Sequence, residues 1–304
     1  MAGGILVTGG TGQVGGELVS VLGGLEGLTG EIYAPGRGEL DLADEVSIRE
    51  AVRRFQPRWI VNPAAHTAVD KAETEKELAY AINADAPRIL GEEAKQIGAA
   101  VLSFSTDYVF AGDGTAAYRE SDPTGPMGVY GASKLAGEQA LAATGAVHMI
   151  FRTSWVYGAT GKNFLLTVLR VARQRPVMKI VADQHGAPTW ARDLARMAGH
   201  VMLECEGAEG ETLEEKVRPV AGVYHAAGGG ETTWFGFGQE ALRLRRLAEP
   251  EVTFAELEAI STSEYPTPAK RPPNSRLDCE KLYETFGWRM MDWRESLAKV
   301  DLEL

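Results

Sequence analysis

The chain has 304 residues, 44% hydrophobic and 24% charged, a globular composition with enough apolar mass for one large core or two smaller ones. Its 31 basic and 42 acidic side chains leave a net charge of −11, the wrong sign for a nucleic-acid partner. No apolar run reaches the ~18 residues of a membrane span, the opening MAGGILVTGG lacks a leader pattern, and neither the two cysteines, Cys205 and Cys279, nor the five histidines show metal or redox spacing; a cytoplasmic protein without a metal site and without membrane contact is expected.

Residues 4–9 (GILVTG) read as a short apolar strand ending in glycine. Residues 12–25 follow as a helix with Val14, Leu18, Val21 and Leu22 on one face. A second strand is expected at 31–36, then a helix at 44–55 opened by the cap residue Asp44, and a third strand at 59–65. Residues 76–98 are helical, with Pro87 marking a kink or a new first turn. The fourth strand, 99–106, ends in the hydroxyls Ser105 and Thr106. A helix runs through 134–144 and a further strand through 147–158. Strands alternating with helices predict an α/β fold, a doubly wound parallel sheet of Rossmann type.

Beyond about residue 160 the alternation loosens. An amphipathic segment spans 163–174 and a helix 193–204, followed by an acidic surface loop at 205–216. A late strand at 220–228 is free to return to the sheet, and a proline-punctuated tail at 265–288 turns helical. The expected organisation is a dinucleotide-binding domain over 1–160, rejoined by about 186–227, with a smaller interleaved lobe from 161–185 and 228–304 that holds the substrate.

Three stretches carry chemistry. In VTGGTGQVGGEL, Gly9, Gly12 and Gly15 recur every third residue between a strand and a helix. A dinucleotide needs that sharp turn, a backbone that approaches its pyrophosphate, and a helix N-terminus facing it; the spacing resembles the TGxxGxxG fingerprint of short-chain dehydrogenases/reductases. The second strand closes as YAPGRGELDL, with no carboxylate for a ribose 2′-hydroxyl but with Arg37 just beyond. An arginine fork suits a 2′-phosphate, so NADPH is the expected cofactor and NADH the alternative, with Asp41 and Leu42 at the adenine edge. In VYGASK, Tyr130 and Lys134 stand four apart. Such a pair is a common helix edge by itself, but positions i and i+4 share a face, and Thr106 ends a neighbouring strand. A lysine ammonium beside a tyrosine would lower the phenol's pKa and ease proton exchange with a substrate oxygen. The three side chains together suit carbonyl reduction. A net-acidic chain must also meet an anionic substrate with a local cluster of cations, and Lys270, Arg271 and Arg276 in PAKRPPNSR form one.

Seven segments, GGTGQVGGEL, HTAVDKAE, STDYVFAG, VYGASKLAGE, FRTSWVYG, DQHGAPT and YPTPAKRPPNSRL, follow one another between residues 9 and 277. Together they resemble the dTDP-4-dehydrorhamnose reductases, extended short-chain dehydrogenases/reductases. The resemblance implies reduction of the 4-keto group of dTDP-6-deoxy-L-lyxo-4-hexulose to give dTDP-L-rhamnose, with Thr106, Tyr130 and Lys134 as the catalytic set. It implies cofactor contacts at Gly12, Gln13 and Val14, at Asp41 and Leu42, at Ala64, Ala65 and Thr67, and at Ser105. It implies Trp155 as a wall for the sugar, with Asn163 and Phe164 nearby, and a nucleotide clamp from Gly186, Thr189, Arg271, Asn274 and Ser275. Some members of the family bind Mg²⁺ between subunits through three glutamates. Glu17 and Glu303 fit two of those positions, but Arg192 stands at the third, so no such metal is expected and the chain is a monomer or a homodimer. Pro63, Gly128, Gly236 and Gly238 depart from the family's usual residues without touching the catalytic set. Two rivals share the fold. One is a nucleotide-sugar epimerase or dehydratase, although dehydratases carry Asp-Glu after the threonine where this chain has Asp107-Tyr108. The other is a non-catalytic regulatory subunit.

Overall fold

In the computed structural model, which describes residues 3–206 and 211–304, six parallel strands make the central sheet. They are β1 (Ile5–Val7), β2 (Ile32–Tyr33), β3 (Trp59–Asn62), β4 (Ala100–Thr106), β5 (His148–Thr153) and a late strand, Gly222–His225. Their order is β2-β1-β3-β4-β5-late, with Leu6 opposite Ile60, Val61 opposite Leu102, Phe104 opposite Phe151, and Tyr224 on the far side of Phe151. The chain leaves β1 toward β2 and returns on its other side as β3. The crevice at that reversal, beyond the strands' C-terminal ends, is where doubly wound sheets bind ligands.

Period-two alternation decides what each face buries. Ile5, Val7, Trp59, Val61, Leu102, Phe104 and Phe151 point into one core with Leu18 and Leu22 of α1 (Gln13–Gly23) and with the helix Ala191–Glu204. Leu6, Ile60, Val101 and Ile150 point the other way, against α2 (Glu45–Phe55), the Ala86–Ile97 helix and Leu141. A third cluster lies apart from the sheet. It joins Tyr157, Leu165, Leu169, Trp190, Phe237, Trp293 and Leu297 from the helices Phe164–Ala172, Trp234–Ala248 and Trp293–Asp301 and their neighbours, beside a parallel pair, Val177–Val181 with Glu256–Ile260. Leu282 and Phe286 of the tail helix Glu280–Phe286 pack on the sheet instead, within the first core.

Several boundaries differ from the sequence reading. Residues 76–98 break into Lys76–Tyr80, a wide π turn at Ala81–Asp85 and a new helix at Ala86 with Pro87 in its first turn. The turn is held by Asn83, whose amide oxygen accepts from His66 N at 2.7 Å and whose nitrogen donates to Ser133 Oγ at 3.0 Å. The strand expected over 147–158 stops at Thr153, because Trp155 takes a left-handed backbone, φ 47°; Val156–Tyr157 then pairs with Thr189–Trp190. The loop expected at 205–216 contains a short helix, Leu213–Val217, whose first turn is closed by a reciprocal Thr212–Glu215 capping box; residues 207–210 of that stretch lie outside the described residues. Arg192 spans the two glutamates beside it, with Nε 2.7 Å from Glu17 Oε2 and a second bond to Glu303. Among the described residues no helix is long and apolar enough to cross a membrane.

Candidate active site

A cleft of about 600 Å³ opens at the reversal. Its walls are the loop from Gly9 to Gly15, residues 63–67 after β3, Ser105 to Tyr108 after β4, Tyr130, Lys134, Trp155, Lys162 and Trp234.

The loop is shaped by what its glycines lack. Gly9 has φ 58°, and a Cβ at Gly15 would stand 2.1 Å from the Gly9 carbonyl oxygen, so α1 comes closer to the turn than any side chain would permit. Gly12 N donates to Gly9 O at 2.8 Å. Gly12 caps α1 without a side-chain hydrogen bond, and the next amides of the helix therefore face the cleft unclaimed. Such a cradle fits a dinucleotide's pyrophosphate. Gly12, Gln13 and Val14, together with Ala64, Ala65 and Thr67 across the reversal, line the cleft.

Beside the cradle stands the reactive set. Tyr130 and Lys134 lie in the first turns of the Val129–Ala143 helix, and Thr106 ends β4. Burial pushes the Tyr130 phenol up to about 12, with the nearby Thr106 hydroxyl opposing the rise and Asp107's charge adding to it. Lys134 Nζ donates to the Phe104 carbonyl at 2.7 Å, and burial lowers the amine to about 8. The expected lowering of the tyrosine by its lysine is therefore corrected: burial raises the phenol, and Lys134 is not among the groups that shift it. The phenol stays protonated across the neutral range, the state a proton donor needs. Next along the chain, Asp107 is buried, which raises its carboxyl to about 6 against the opposing pull of the nearby Ser275 and Thr106 hydroxyls. Thr106 Oγ1 donates to Asp107 Oδ1 at 3.0 Å, while Oδ2 has no partner among the described residues.

The opposite wall is aromatic. Trp155 stacks on Trp234 with ring centroids 3.7 Å apart and planes 16° from parallel. A Cβ at Gly186 would sit 2.7 Å from the Trp155 ring, so that glycine makes room for the indole. Trp234 Nε1 donates to Gln184 Oε1 at 3.2 Å, and Phe164 packs against Trp234 at 4.7 Å. Trp234 was not singled out from the sequence. Its signal was the helix start TTW, where Thr233 caps Gly236 N at 3.1 Å and leaves the indole projecting from the first turn.

Other expected residues are spent on structure. Asn163 caps its helix through Leu166 N and donates to Gln13 Oε1 at 2.8 Å. Thr189 Oγ1 is buried and accepts from Gly228 N at 3.0 Å. Asn274 donates to the Gly114 and Ala116 carbonyls at 2.9 and 2.7 Å. Arg276 is held by Asn274, Glu231 and the Thr115 carbonyl. Ser275 is buried, and its amide donates to the His185 carbonyl at 2.7 Å. Arg271 is half used: Nη2 donates to Asp70 Oδ2 at 2.8 Å, but Nη1 is buried without a partner among the described residues. Lys270 is exposed. Arg37, its side chain 75% exposed, leans on Asp41 at 3.3 Å, and Leu42 packs on the second core. Lys162, missed by the sequence reading, lines the cleft with no ion-pair partner among the described residues. It follows Gly161, where a Cβ would lie 3.7 Å from Gln13 Oε1.

The family model described as RmlD substrate binding domain matches residues 3–303. A dTDP-4-dehydrorhamnose reductase of Burkholderia thailandensis is 43% identical over 298 residues, 97% of this chain and 96% of that protein. The chain belongs to the dTDP-4-dehydrorhamnose reductase family. Solved structures of the family superpose throughout. The Clostridium acetobutylicum reductase has a TM-score of 0.87 at 34% identity, covering 99% of both chains. The Bacillus anthracis reductase, crystallised in complex with NADP, has the same TM-score at 31% identity and covers both chains completely.

Proposed function

We propose that the protein is an NADPH-dependent oxidoreductase that reduces the 4-keto group of dTDP-6-deoxy-L-lyxo-4-hexulose to dTDP-L-rhamnose, with Tyr130 as the proton donor. The observation that carries this reading is the meeting of Tyr130, Lys134 and Thr106 in one cleft, between the glycine cradle and the Trp155 wall. The kinship with named reductases and the NADP-bound Bacillus anthracis relative support the cofactor.

When bound, the nicotinamide supplies a hydride to the keto carbon. The chain's own side chains do the rest. Tyr130 gives its proton to the keto oxygen as negative charge develops there. Thr106 would stand near that oxygen, and Lys134 would hold the cofactor ribose through its ammonium. The cradle around Gly12 fixes the pyrophosphate, and Arg271 Nη1 and Lys162, both without a partner among the described residues, are cations for the diphosphate groups. Trp155 and Trp234 exclude water from one side of the sugar and present a flat apolar face to it. Residues 1–160 with about 186–227 act as the cofactor domain, and 161–185 with 228–304 as the substrate lobe.

The test is to incubate the protein with NADPH and the dTDP-keto sugar, following NADPH absorbance and identifying the product by chromatography. Stoichiometric NADPH loss with formation of dTDP-L-rhamnose is expected. An unchanged absorbance, or release of a C4-epimeric sugar, would remove this substrate assignment.

A further inference from the structure

Behind the cleft lies a second layer of charge for which the reaction as described has no use. Glu138 sits one turn beyond Lys134 on the same helix and is 7% exposed. Arg152 of β5 is 4% exposed and grips its carboxylate, Nε to Oε1 at 3.0 Å and Nη2 to Oε2 at 2.6 Å. Ser105 of β4 donates to the same carboxylate. Burying such a pair is costly, and hydrophobic residues of similar volume often stabilise a fold as well or better. Its position therefore asks for a reason, and the reason is next door. A void of only about 10 Å³ is bounded by Lys134, Glu138, Ser105 and Asn83. So small a space holds about one water at most, and the charges buried around it are screened less than they would be in bulk water.

We propose that Glu138 is a positioning residue for the reaction: clamped by Arg152 and Ser105, it keeps the Lys134 ammonium charged and directed at the cofactor ribose. Lys134 is faced from its own helix by Tyr130 and Glu138, and from β4 by Ser105 and the Phe104 carbonyl. Arg152 of β5 stands one bond further off. Of these, only Glu138 carries a negative charge. It opposes the burial that draws the lysine's proton off. Arg152 acts with the opposite sign. It holds the carboxylate in place, yet its own cation, 5.1 Å from the Phe110 ring and with Nη1 unpartnered among the described residues, works against a second cation nearby. The arrangement is a balance, and the two partners of the ion pair should move Lys134 in opposite directions.

The inference rests on the reading of Lys134 as a cofactor-ribose residue, and its test needs no sugar. NADPH affinity is measured by fluorescence titration from pH 6 to pH 10 for the wild type, E138Q and R152Q, each checked for folding by circular dichroism and thermal melting. In the wild type, affinity should fall through a midpoint near pH 8, where Lys134 loses its proton. In E138Q the midpoint should move down by about one pH unit, a tenfold loss of proton affinity; in R152Q it should move up. The alkaline limb of kcat for sugar reduction should follow the same order. Should E138Q fail to fold, E138D, which draws the carboxylate back by one methylene, should shift the midpoint down by less. Unmoved midpoints in folded variants, or shifts of the same sign in E138Q and R152Q, would leave the buried pair a purely structural device and overturn the proposal. Shifted midpoints together with an inert dTDP-keto sugar would keep it and remove the substrate assignment instead.

Discussion

The two sides of the cleft are built on different principles. The cofactor side is backbone: a glycine at φ 58°, a helix start without a side-chain cap, and a Cβ-free contact at Gly15. The proposed substrate side is side chains gathered from far apart: Tyr130, Trp155 and Trp234 come from a helix, a strained strand exit and a second helix, and Arg271, outside the cleft lining, from a loop. A backbone cradle tolerates almost any change that leaves its glycines alone. A side-chain wall concentrates its energy in a few groups. Single substitutions should therefore separate the two sides cleanly.

The largest effect is expected at their meeting point. Tyr130→Phe removes the proposed proton donor but keeps the ring and the T-shaped contact with Tyr108 at 5.4 Å, so kcat should fall by roughly 10²–10⁴-fold while the Kd for NADPH barely moves. Stopped-flow turnover set beside fluorescence binding would check this; a variant retaining more than about half its kcat would assign the proton to another group.

On the substrate side, Arg271→Ala deletes the free Nη1 and leaves Asp70 unpaired. KM for the dTDP-sugar should rise by one to two decades, about 1.5–3 kcal/mol, with KM for NADPH unchanged. A loss confined to NADPH would transfer this arginine to the other side of the cleft. Trp234→Leu should cost less. It strips the support from beneath Trp155 without touching the donor, and a lost aromatic pair is worth about 0.5–1.5 kcal/mol. KM for the sugar should rise several-fold with kcat nearly kept, as steady-state kinetics would show.

The smallest effect is expected where the sequence argument alone would have placed a large one. Arg37 is largely in solvent and already leans on Asp41, and exposed ion pairs contribute about 0–1 kcal/mol. Arg37→Ala should change the NADPH-to-NADH preference by no more than about fivefold. A loss of tenfold or more in NADPH affinity alone would mean that the arginine leaves Asp41 to grip the 2′-phosphate.

This contrast also explains what could be read from the chain beforehand. Glycine spacing, strand alternation and the i, i+4 pair are local, and they identified the cradle, the doubly wound sheet and the Tyr130–Lys134 helix. Roles that depend on a partner elsewhere were not legible. Asn163, Thr189 and Asn274 are polar residues in site-like motifs, yet their hydrogen-bonding capacity is consumed by Gln13, Gly228 and the 114–116 backbone. The strand through 147–158 looked continuous because nothing local signals that Trp155 turns left-handed to reach Trp234. The direction of the tyrosine's shift was not legible because a charge four residues away is visible in a sequence and burial is not. Glu138 drew no notice for the same reason: on a helix it looks like any solvent-facing glutamate, and only its burial against Arg152 marks it out.

The late strand has a consequence for how the molecule comes into being. During synthesis β1 to β5 are complete by residue 153, but the outer edge of β5 waits some 70 residues for Gly222–His225, and the first core waits longer still for Leu282 and Phe286. Until then the nascent sheet carries an unpaired parallel edge beside an open apolar face, the kind of surface that invites association with neighbouring chains. A fragment ending near residue 160 would keep the glycine cradle and the reactive tyrosine but would hold that edge exposed for good. Although its chemistry is concentrated near the start of the chain, the protein cannot be divided there, and nearly the whole length must emerge before any part of it is finished.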